Sequence, residues 1–167
     1  MRIYVMRHGI AVEPGDPAAP ENDEERALTP DGIERVRLAF HGMVAMGVVV
    51  DRIVTSPLLR STQTAEIAAE ILGVPRFSVE THPGLRPDGD FTEMLVSLRR
   101  LPDDGVLLVG HAPSVDQIIA RLLGALQPIT TLKKAGLVAL SGKSGQENCR
   151  LVAMLEPKVL RRLGRSE

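Results

Sequence analysis

The feature that most constrains how this chain can fold is its alternation of short apolar runs with longer amphipathic segments. The short runs predict β-strands, and the segments with apolar residues every three or four positions predict helices. Alternation of the two is typical of an α/β layer fold. The predicted strands cover residues 2–6, 52–55, 77–80, 106–109, 137–140 and 150–155, the last two forming a pair around a turn at residues 141–148.

Helix signals occur between these runs. Thr29 suits the N-cap of a first helix and Pro30 its first position. The buried face of this helix is predicted to comprise Ile33, Val36, Phe40, Met43 and Val44. The pair Ser56-Pro57 predicts the cap and first position of a second helix that runs to about Leu72. Further helices are predicted from Thr92 to Leu101, from Pro113 to Gly124 and from Pro157 onward.

Composition excludes several classes of protein. With 167 residues, 44% of them apolar and 25% charged, residues 1–167 are expected to form a single domain. A formal charge of −1 and the absence of Trp argue against nucleic-acid binding. Cys149 has no second cysteine with which to form an internal disulfide, and no apolar run has the length of a signal sequence or a membrane span. We therefore expect a cytoplasmic protein that binds no membrane.

Polar residues that can perform chemistry follow three of the predicted strands. The first strand ends in Arg7-His8-Gly9, the second leads into Ser56-Pro57-Leu58-Leu59-Arg60, and a later one ends in Gly110-His111-Ala112-Pro113. Ligands of open α/β sheets bind beyond the carboxyl ends of the strands. If these strands run parallel, two arginines and two histidines meet in one pocket.

The residue types in this pocket predict an anion ligand. Two guanidinium groups disfavour a metal cation and the histidines lack the spacing of helical zinc motifs, so we expect neither a metal nor a cofactor. Arginine matches a phosphate through paired hydrogen bonds, and helix N-termini after Ser56 and Ala112 add backbone N–H groups. Phosphate binding is therefore assigned to Arg7, Arg60, His111 and Ala112. His8 is the candidate nucleophile, and His111 the donor to a phosphoryl oxygen in the transition state.

Four motifs, in this order, resemble the histidine phosphatases of the phosphoglycerate-mutase-like fold. They are Arg7-His8-Gly9, Leu28-Thr29-Pro30-Asp31-Gly32, the run SPLLRSTQTA at residues 56–65, and Gly110-His111. The resemblance covers Met1 to about Leu155, and the short chain is most similar to the SixA-type phosphohistidine phosphatases. It implies an αβα sandwich of three layers around a mostly parallel sheet, without large insertions. In that family the first histidine is phosphorylated, while the two arginines and the second histidine hold the phosphoryl group.

One departure from the family bears on the substrate. Members that hydrolyse phosphate esters usually supply a carboxylic acid from the middle of the chain, and the loop at residues 83–90 has no glutamate before Leu85. Asp88 and Asp90 are possible general acids, although Asp90 and Glu93 also have the spacing of a helix-capping arrangement. A phosphoramidate needs less help, because its nitrogen can be protonated before the P–N bond breaks.

The sequence therefore predicts a metal-independent phosphohistidine phosphatase that acts through a covalent phospho-His8 intermediate. By resemblance, its partner is a phosphohistidine-containing protein, either a histidine-phosphotransfer domain or a phosphocarrier. One alternative is a small-molecule phosphomonoesterase that uses Asp88 or Asp90 as the acid. Another is a non-catalytic module that binds phosphate or phosphoproteins. The acidic, proline-rich stretch Glu13–Arg26 is expected to be a solvated surface loop.

Overall fold

The six apolar runs form one sheet in the computed structural model, which describes residues 1–98, 105–142 and 148–165. The strands are β1 (Arg2–Arg7), β2 (Arg52–Thr55), β3 (Val79–Thr81), β4 (Gly105–Gly110), β5 (Leu137–Ser141) and β6 (Arg150–Leu155). Their order across the sheet is β3-β2-β4-β1-β5-β6. β1 and β4, which carry two of the predicted site motifs at their ends, are therefore neighbours at the centre of the sheet.

Four of the six strands run parallel, as predicted. β1 pairs with β4, and β2 pairs with β4 and β3, all in parallel. β5 is antiparallel to β1, and β6 is antiparallel to β5. The predicted turn between β5 and β6 includes residues 143–147, which lie outside the described residues.

In the described part of the chain, five α-helices cover the two faces of the sheet. They are α1 (Pro30–Ala45), α2 (Leu59–Leu72), α3 (Thr92–Leu98), α4 (Ser114–Leu123) and α5 (Pro157–Leu163). One apolar core packs α1, α2 and α5 against one face, and a second packs α3 and α4 against the other. The resulting αβα sandwich confirms the predicted fold class. None of the helices in the described residues is long and apolar enough to cross a membrane.

The start of α1 agrees with its sequence signal, but its buried face differs. The Thr29 side chain accepts a hydrogen bond from the Gly32 N–H at 2.9 Å, and Pro30 is the first helical residue. Ile33 and Val44 are exposed rather than buried. At roughly 100° per residue they fall on the flank of the apolar stripe, whose centre is near Val36. The helix therefore buries a narrower face than the spacing predicted.

Other element boundaries also differ from the prediction. Ser56 and Pro57 are not the cap and first position of α2, because Leu58 is the N-cap and the helix begins at Leu59. The segment Arg76–Ser78 forms a 3₁₀ turn, so the predicted strand at residues 77–80 is shifted to Val79–Thr81. The predicted helix from Thr92 to Leu101 is described as far as Leu98, and its last three residues lie outside the described part.

Candidate active site

The parallel pairing of β1 with β4 brings the two predicted histidines together. Arg7 lies in register with Gly110, and the His8 N–H donates to the Gly110 carbonyl at 2.9 Å. His8 and His111 each follow the end of a strand, so their rings enter the same space. The ring centroids are 4.7 Å apart, with the planes tilted by 50°.

The His8 ring has a defined tautomer. Its Nδ1 lies 2.7 Å from the Gly9 carbonyl oxygen. Because a carbonyl can only accept a hydrogen bond, Nδ1 carries the proton and Nε2 keeps its lone pair. Burial, and then the repulsion that a protonated His111 would exert, lower the pKa of His8 to about 2. The ring is therefore neutral at ordinary pH, with Nε2 available as a nucleophile.

The guanidinium groups of Arg7 and Arg60 are each tethered at the Nη end. Arg7 Nη1 donates to the Leu132 carbonyl at 3.2 Å, and Arg60 Nη1 donates to the Asp23 carbonyl at 2.8 Å. In both arginines the Nε–H is buried and has no hydrogen-bond partner in the described structure. A buried donor without a partner is costly, and it marks a place where an acceptor is expected. Two such donors in one pocket suit an oxyanion.

His111 is fixed by two hydroxyl groups. Its Nε2 lies 3.0 Å from Ser56 Oγ and 3.2 Å from Ser61 Oγ. Burial, together with the positive charge of Arg60, lowers the pKa of His111 to about 3. Ser56 Oγ also lies 3.3 Å from the Leu58 N–H. The serine that was predicted to cap α2 is thus part of the turn that holds His111.

These groups line one cavity of about 350 Å³. Its lining residues are Arg7, His8, Glu13, Pro14, Asp23, Arg26, Arg60, Pro87, His111, Ala112 and Lys134. The structure therefore brings together His8 and the four residues to which phosphate binding was assigned. Arg60 reaches the cavity from the first turn of α2, and Ala112 precedes the start of α4 by two residues.

The two candidate general acids are not among the residues that line the cavity. Asp88 and Asp90 are both exposed. Asp90 Oδ1 accepts a hydrogen bond from the Thr92 N–H at 2.9 Å, and hydrogen bonds from the Thr92 side chain and then from its N–H lower the pKa of Asp90. Asp90 thus bonds to Thr92, the first residue of α3.

Sequence reasoning missed the acidic segment as part of the site. Asp23 bridges two arginines, since its Oδ1 accepts from Arg26 Nε at 2.7 Å and its Oδ2 accepts from Arg60 Nη2 at 3.0 Å. Glu13 forms an ion pair with Lys134. The three-residue spacing of Asp23 and Arg26 was a local signal for the first of these contacts. No local signal links Glu13 to Lys134, which lies 121 positions away in the chain.

Both carboxylates of the cavity are held in the ionised form. The hydrogen bond from Lys134 lowers the pKa of Glu13, and the hydrogen bond from Arg26 lowers the pKa of Asp23. A carboxylate whose pKa is lowered is a poor proton donor at neutral pH. The cavity thus combines the neutral His8 with cationic donors, and its two carboxylates are ionised rather than acidic.

Comparison with known proteins agrees with this geometry. The model of the histidine phosphatase superfamily (branch 1) matches residues 3–95. Phosphohistidine phosphatase SixA of Escherichia coli K12 is 33% identical over 144 residues, which is 84% of this chain and 86% of that protein.

Solved structures have the same architecture. The protein histidine phosphatase SixA complexed with tungstate is 27% identical and superposes with a TM-score of 0.85 over 96% of this chain and 99% of that one. The α-ribazole phosphatase of Shigella flexneri is 17% identical, with a TM-score of 0.71 over 94% and 97% of the two chains, and shows the fold alone. The chain therefore belongs to the histidine phosphatase superfamily and is a SixA-like member of it.

Proposed function

We propose that this protein is a phosphohistidine phosphatase in which His8 is the nucleophile. The observation that carries the proposal is the hydrogen bond from His8 Nδ1 to the Gly9 carbonyl, because it leaves the Nε2 lone pair free. The same ring is kept neutral by its surroundings, with a pKa of about 2. A neutral imidazole held in one tautomer suits nucleophilic attack on phosphorus.

The cations around His8 would hold the transferred group. Within the described residues, the unpartnered Nε–H groups of Arg7 and Arg60 offer two donors to the phosphoryl oxygens, and His111 and Ala112 line the same cavity. Donors aimed at the oxygens where charge grows stabilise the transition state. Tungstate, a tetrahedral oxyanion like phosphate, is bound in the SixA structure that this fold superposes on.

The reaction proceeds in two displacements. His8 Nε2 attacks phosphorus, the P–N bond of the substrate phosphohistidine breaks, and its electron pair returns to the substrate imidazole. Because Nδ1 keeps its proton, the phosphorylated His8 ring is an imidazolium. Water then attacks phosphorus, the P–Nε2 bond breaks with its electron pair returning to His8, and the proton lost by water passes to solvent. Inorganic phosphate leaves, and His8 is again neutral.

The state of the carboxylates favours a phosphoramidate over a phosphate ester. An alkoxide leaving group needs an acid, whereas Glu13 and Asp23 are held ionised and Asp88 and Asp90 do not line the cavity. A phosphohistidine leaves as a neutral imidazole when its second ring nitrogen is protonated. By the resemblance to SixA, the substrate is a histidine-phosphotransfer domain or a phosphocarrier.

Trapping the phosphoenzyme tests the proposal. The protein is mixed with a ³²P-phosphohistidine protein in the presence of a metal chelator, quenched in alkali and digested. We expect an acid-labile label on the peptide that contains His8, and turnover that continues in the chelator. His8→Asn should lose both label and turnover, while His41→Asn, which changes a histidine on α1, should retain them. Turnover by His8→Asn, or loss of activity in the chelator, would contradict the mechanism.

A parallel assay with an alkyl phosphate, whose alkoxide leaving group needs a proton donor, tests the substrate class. We expect hydrolysis of this ester to be slow and unaffected by Asp88→Asn or Asp90→Asn. Fast ester hydrolysis that collapses in either variant would instead identify a phosphomonoesterase with a loop aspartate as the acid.

A further inference from the structure

Arg7 depends for its position on a segment that is neither helix nor strand. Its Nη1 donates to the Leu132 carbonyl at 3.2 Å, and within the described residues this is the one hydrogen bond of its guanidinium group. Leu132 lies in the connection between α4 and β5, at residues 124–136. Loops move more than helices and strands do, so a loop carbonyl holds a side chain in place only where the loop itself is fixed. The position of Arg7 therefore depends on what fixes Leu132.

A buried carboxylate fixes this segment. Asp116 Oδ1 accepts a hydrogen bond from the Leu132 N–H at 2.9 Å and another from Thr130 Oγ1 at 2.7 Å. Asp116 is only 5% exposed, and a charged side chain is rarely buried unless hydrogen bonds compensate for the loss of water. Asp116 and Arg7 thus bind the N–H and the carbonyl of the same residue, Leu132.

Asp116 also lies in the first turn of α4, where the helix dipole stabilises a carboxylate. Capping its own helix does not account for its contacts, because its two hydrogen bonds in the described structure go to residues 130 and 132 rather than to an N–H of α4. His111 precedes Asp116 by five positions, in the turn between β4 and α4. The connection that carries His111 to the cavity therefore also supports the segment that holds Arg7.

Arg7 is attached to this segment by its main chain as well. The Ala135 N–H donates to the Arg7 carbonyl at 2.9 Å and to the His8 carbonyl at 3.1 Å. The Leu132 carbonyl holds the other end of Arg7, the guanidinium, and so sets the direction of the buried Nε–H. A displacement of the segment would therefore move the donor that faces the anion.

We propose that Asp116 is a positioning residue for Arg7. By binding the Leu132 N–H it fixes the carbonyl that accepts from Arg7 Nη1, and this keeps the Arg7 Nε–H directed at the bound anion. The inference rests on the proposed function, because it takes Arg7 to bind the phosphoryl group. Asp116 is not among the residues that line the cavity, so it acts on the anion through Arg7. Asp23 supports Arg60 in a comparable way, but by direct contact.

Tungstate binding, measured by isothermal titration calorimetry, tests the effect on the anion site. We expect Asp116→Ala to raise the Kd for tungstate about tenfold, because Arg7 then offers a poorly directed donor. Asp116→Asn keeps an oxygen that can accept both bonds, and its Kd should stay within about twofold of the parent value. Asp51→Ala is the matched control, since Asp51 Oδ2 accepts from the Gly105 N–H at 2.8 Å at the opposite end of the sheet. It should bind tungstate like the parent.

The possible results separate this inference from the proposed function. Unchanged affinity in Asp116→Ala would overturn the positioning role and leave the anion site in place. An equal loss in Asp116→Asn or in Asp51→Ala would also overturn it, because neither variant removes the acceptor of the Leu132 N–H. A parent that binds no tungstate would overturn the proposed function, and with it the role of Arg7.

Hydrogen exchange at the arginine Nε–H groups tests whether the effect passes through Arg7. Both groups are buried, so we expect slow exchange with water in ¹H–¹⁵N spectra, where each signal is assigned by its loss in Arg7→Lys or Arg60→Lys. Asp116→Ala should speed exchange at Arg7 and leave Arg60, which Asp23 holds, unchanged. Thr130→Val is a milder change that removes one bond to Asp116, and it should act in the same direction. Unchanged exchange at Arg7 in both variants, or faster exchange at both arginines, would overturn the proposal.

Discussion

The floor and the rim of the cavity differ in how deeply their polar groups are buried and in how their charges are paired. The floor consists of Arg7, His8, Arg60 and His111, and the rim of Glu13, Asp23, Arg26 and Lys134. On the floor, three of the four residues are buried, both histidines are neutral, and two N–H donors have no partner among the residues that the structure describes. On the rim, both carboxylates are largely exposed and every charge is paired with an opposite one.

This difference separates the region proposed to carry out the reaction, the floor, from the region at the entrance of the cavity, the rim. Charges interact strongly where water is excluded, so the floor is the region where the proposed phosphoryl transfer would be stabilised most strongly. Exposed ion pairs contribute little, because solvent and salt screen them. Asp23 connects the two regions, since its carboxylate is 57% exposed while the Arg60 side chain that it contacts is 4% exposed. The effect of a substitution should therefore depend on which region it changes.

The largest effect is expected on the floor. Arg60→Ala removes a donor that we propose binds the phosphoryl group, and kcat/KM for a phosphohistidine protein should fall on the order of 10²–10³-fold. Arg60→Lys should restore little of it, because an ammonium group lacks the fork of donors that a guanidinium provides. Arg37→Ala is the matched control, since Arg37 pairs with Glu70 on the helical surface. Full activity of Arg60→Lys, measured by initial rates, would show that charge alone suffices.

Burial of the histidines should appear in the pH dependence of stability. The pKa values of His8 and His111 in the folded protein, about 2 and about 3, lie below the ordinary value of 6.5. At pH values between about 3 and 6.5, the two histidines are protonated in the unfolded chain but not in the folded chain. The free energy of unfolding is therefore highest above pH 6.5 and falls as the pH decreases, by up to about 1.4 kcal/mol per pH unit for each histidine.

Urea denaturation at pH 7, 6 and 5 measures this slope. His111→Asn removes one titrating group, so its stability should decline less steeply with decreasing pH than that of the parent. His41→Asn, which changes a histidine of α1 that does not line the cavity, is the control. Equal slopes in the parent and in His111→Asn would show that burial does not hold His111 neutral.

An intermediate effect is expected where floor and rim meet. Asp23→Asn removes the negative charge that pairs with Arg60 Nη2. It retains the main-chain carbonyl of residue 23, which accepts a hydrogen bond from Arg60 Nη1. We expect kcat to fall about tenfold, or roughly 1.4 kcal/mol, because Arg60 is held less firmly. Inorganic phosphate should inhibit the variant more strongly, since one negative charge near the anion site is gone. An unchanged kcat in this variant would show that Asp23 does not help to position Arg60 for the reaction.

The smallest effect is expected at the rim. Glu13→Gln and Lys134→Met each break one exposed ion pair, whose contribution is within about 1 kcal/mol. We expect kcat/KM to change by less than roughly fivefold, and 0.5 M NaCl to reduce the difference from the parent. A loss as large as that of Arg60→Ala would place Glu13 or Lys134 in the chemical step and abolish the distinction between the two regions.

Local patterns predicted the parts of this molecule that depend on near neighbours in the chain. The apolar runs predicted all six strands, although β3 is shifted, and Thr29 predicted the start of α1. The motif residues His8, Arg60 and His111 follow the ends of strands, where parallel pairing brings them together. Ser56 was assigned the wrong contact, because a cap signal is local while its bond to His111 spans 55 positions.

The sequence by itself determined which residues form strands and helices and which side chains stand at their ends, since hydrophobic periodicity and capping act over a few residues. The tertiary structure decided that Asp23 lies against Arg60 and that Lys134 reaches Glu13. It also decided that β6 ends the sheet with an apolar edge while β3 ends it with a charged one. These outcomes depend on the order in which strands pair, and that order is set by packing across the whole molecule rather than by any one segment.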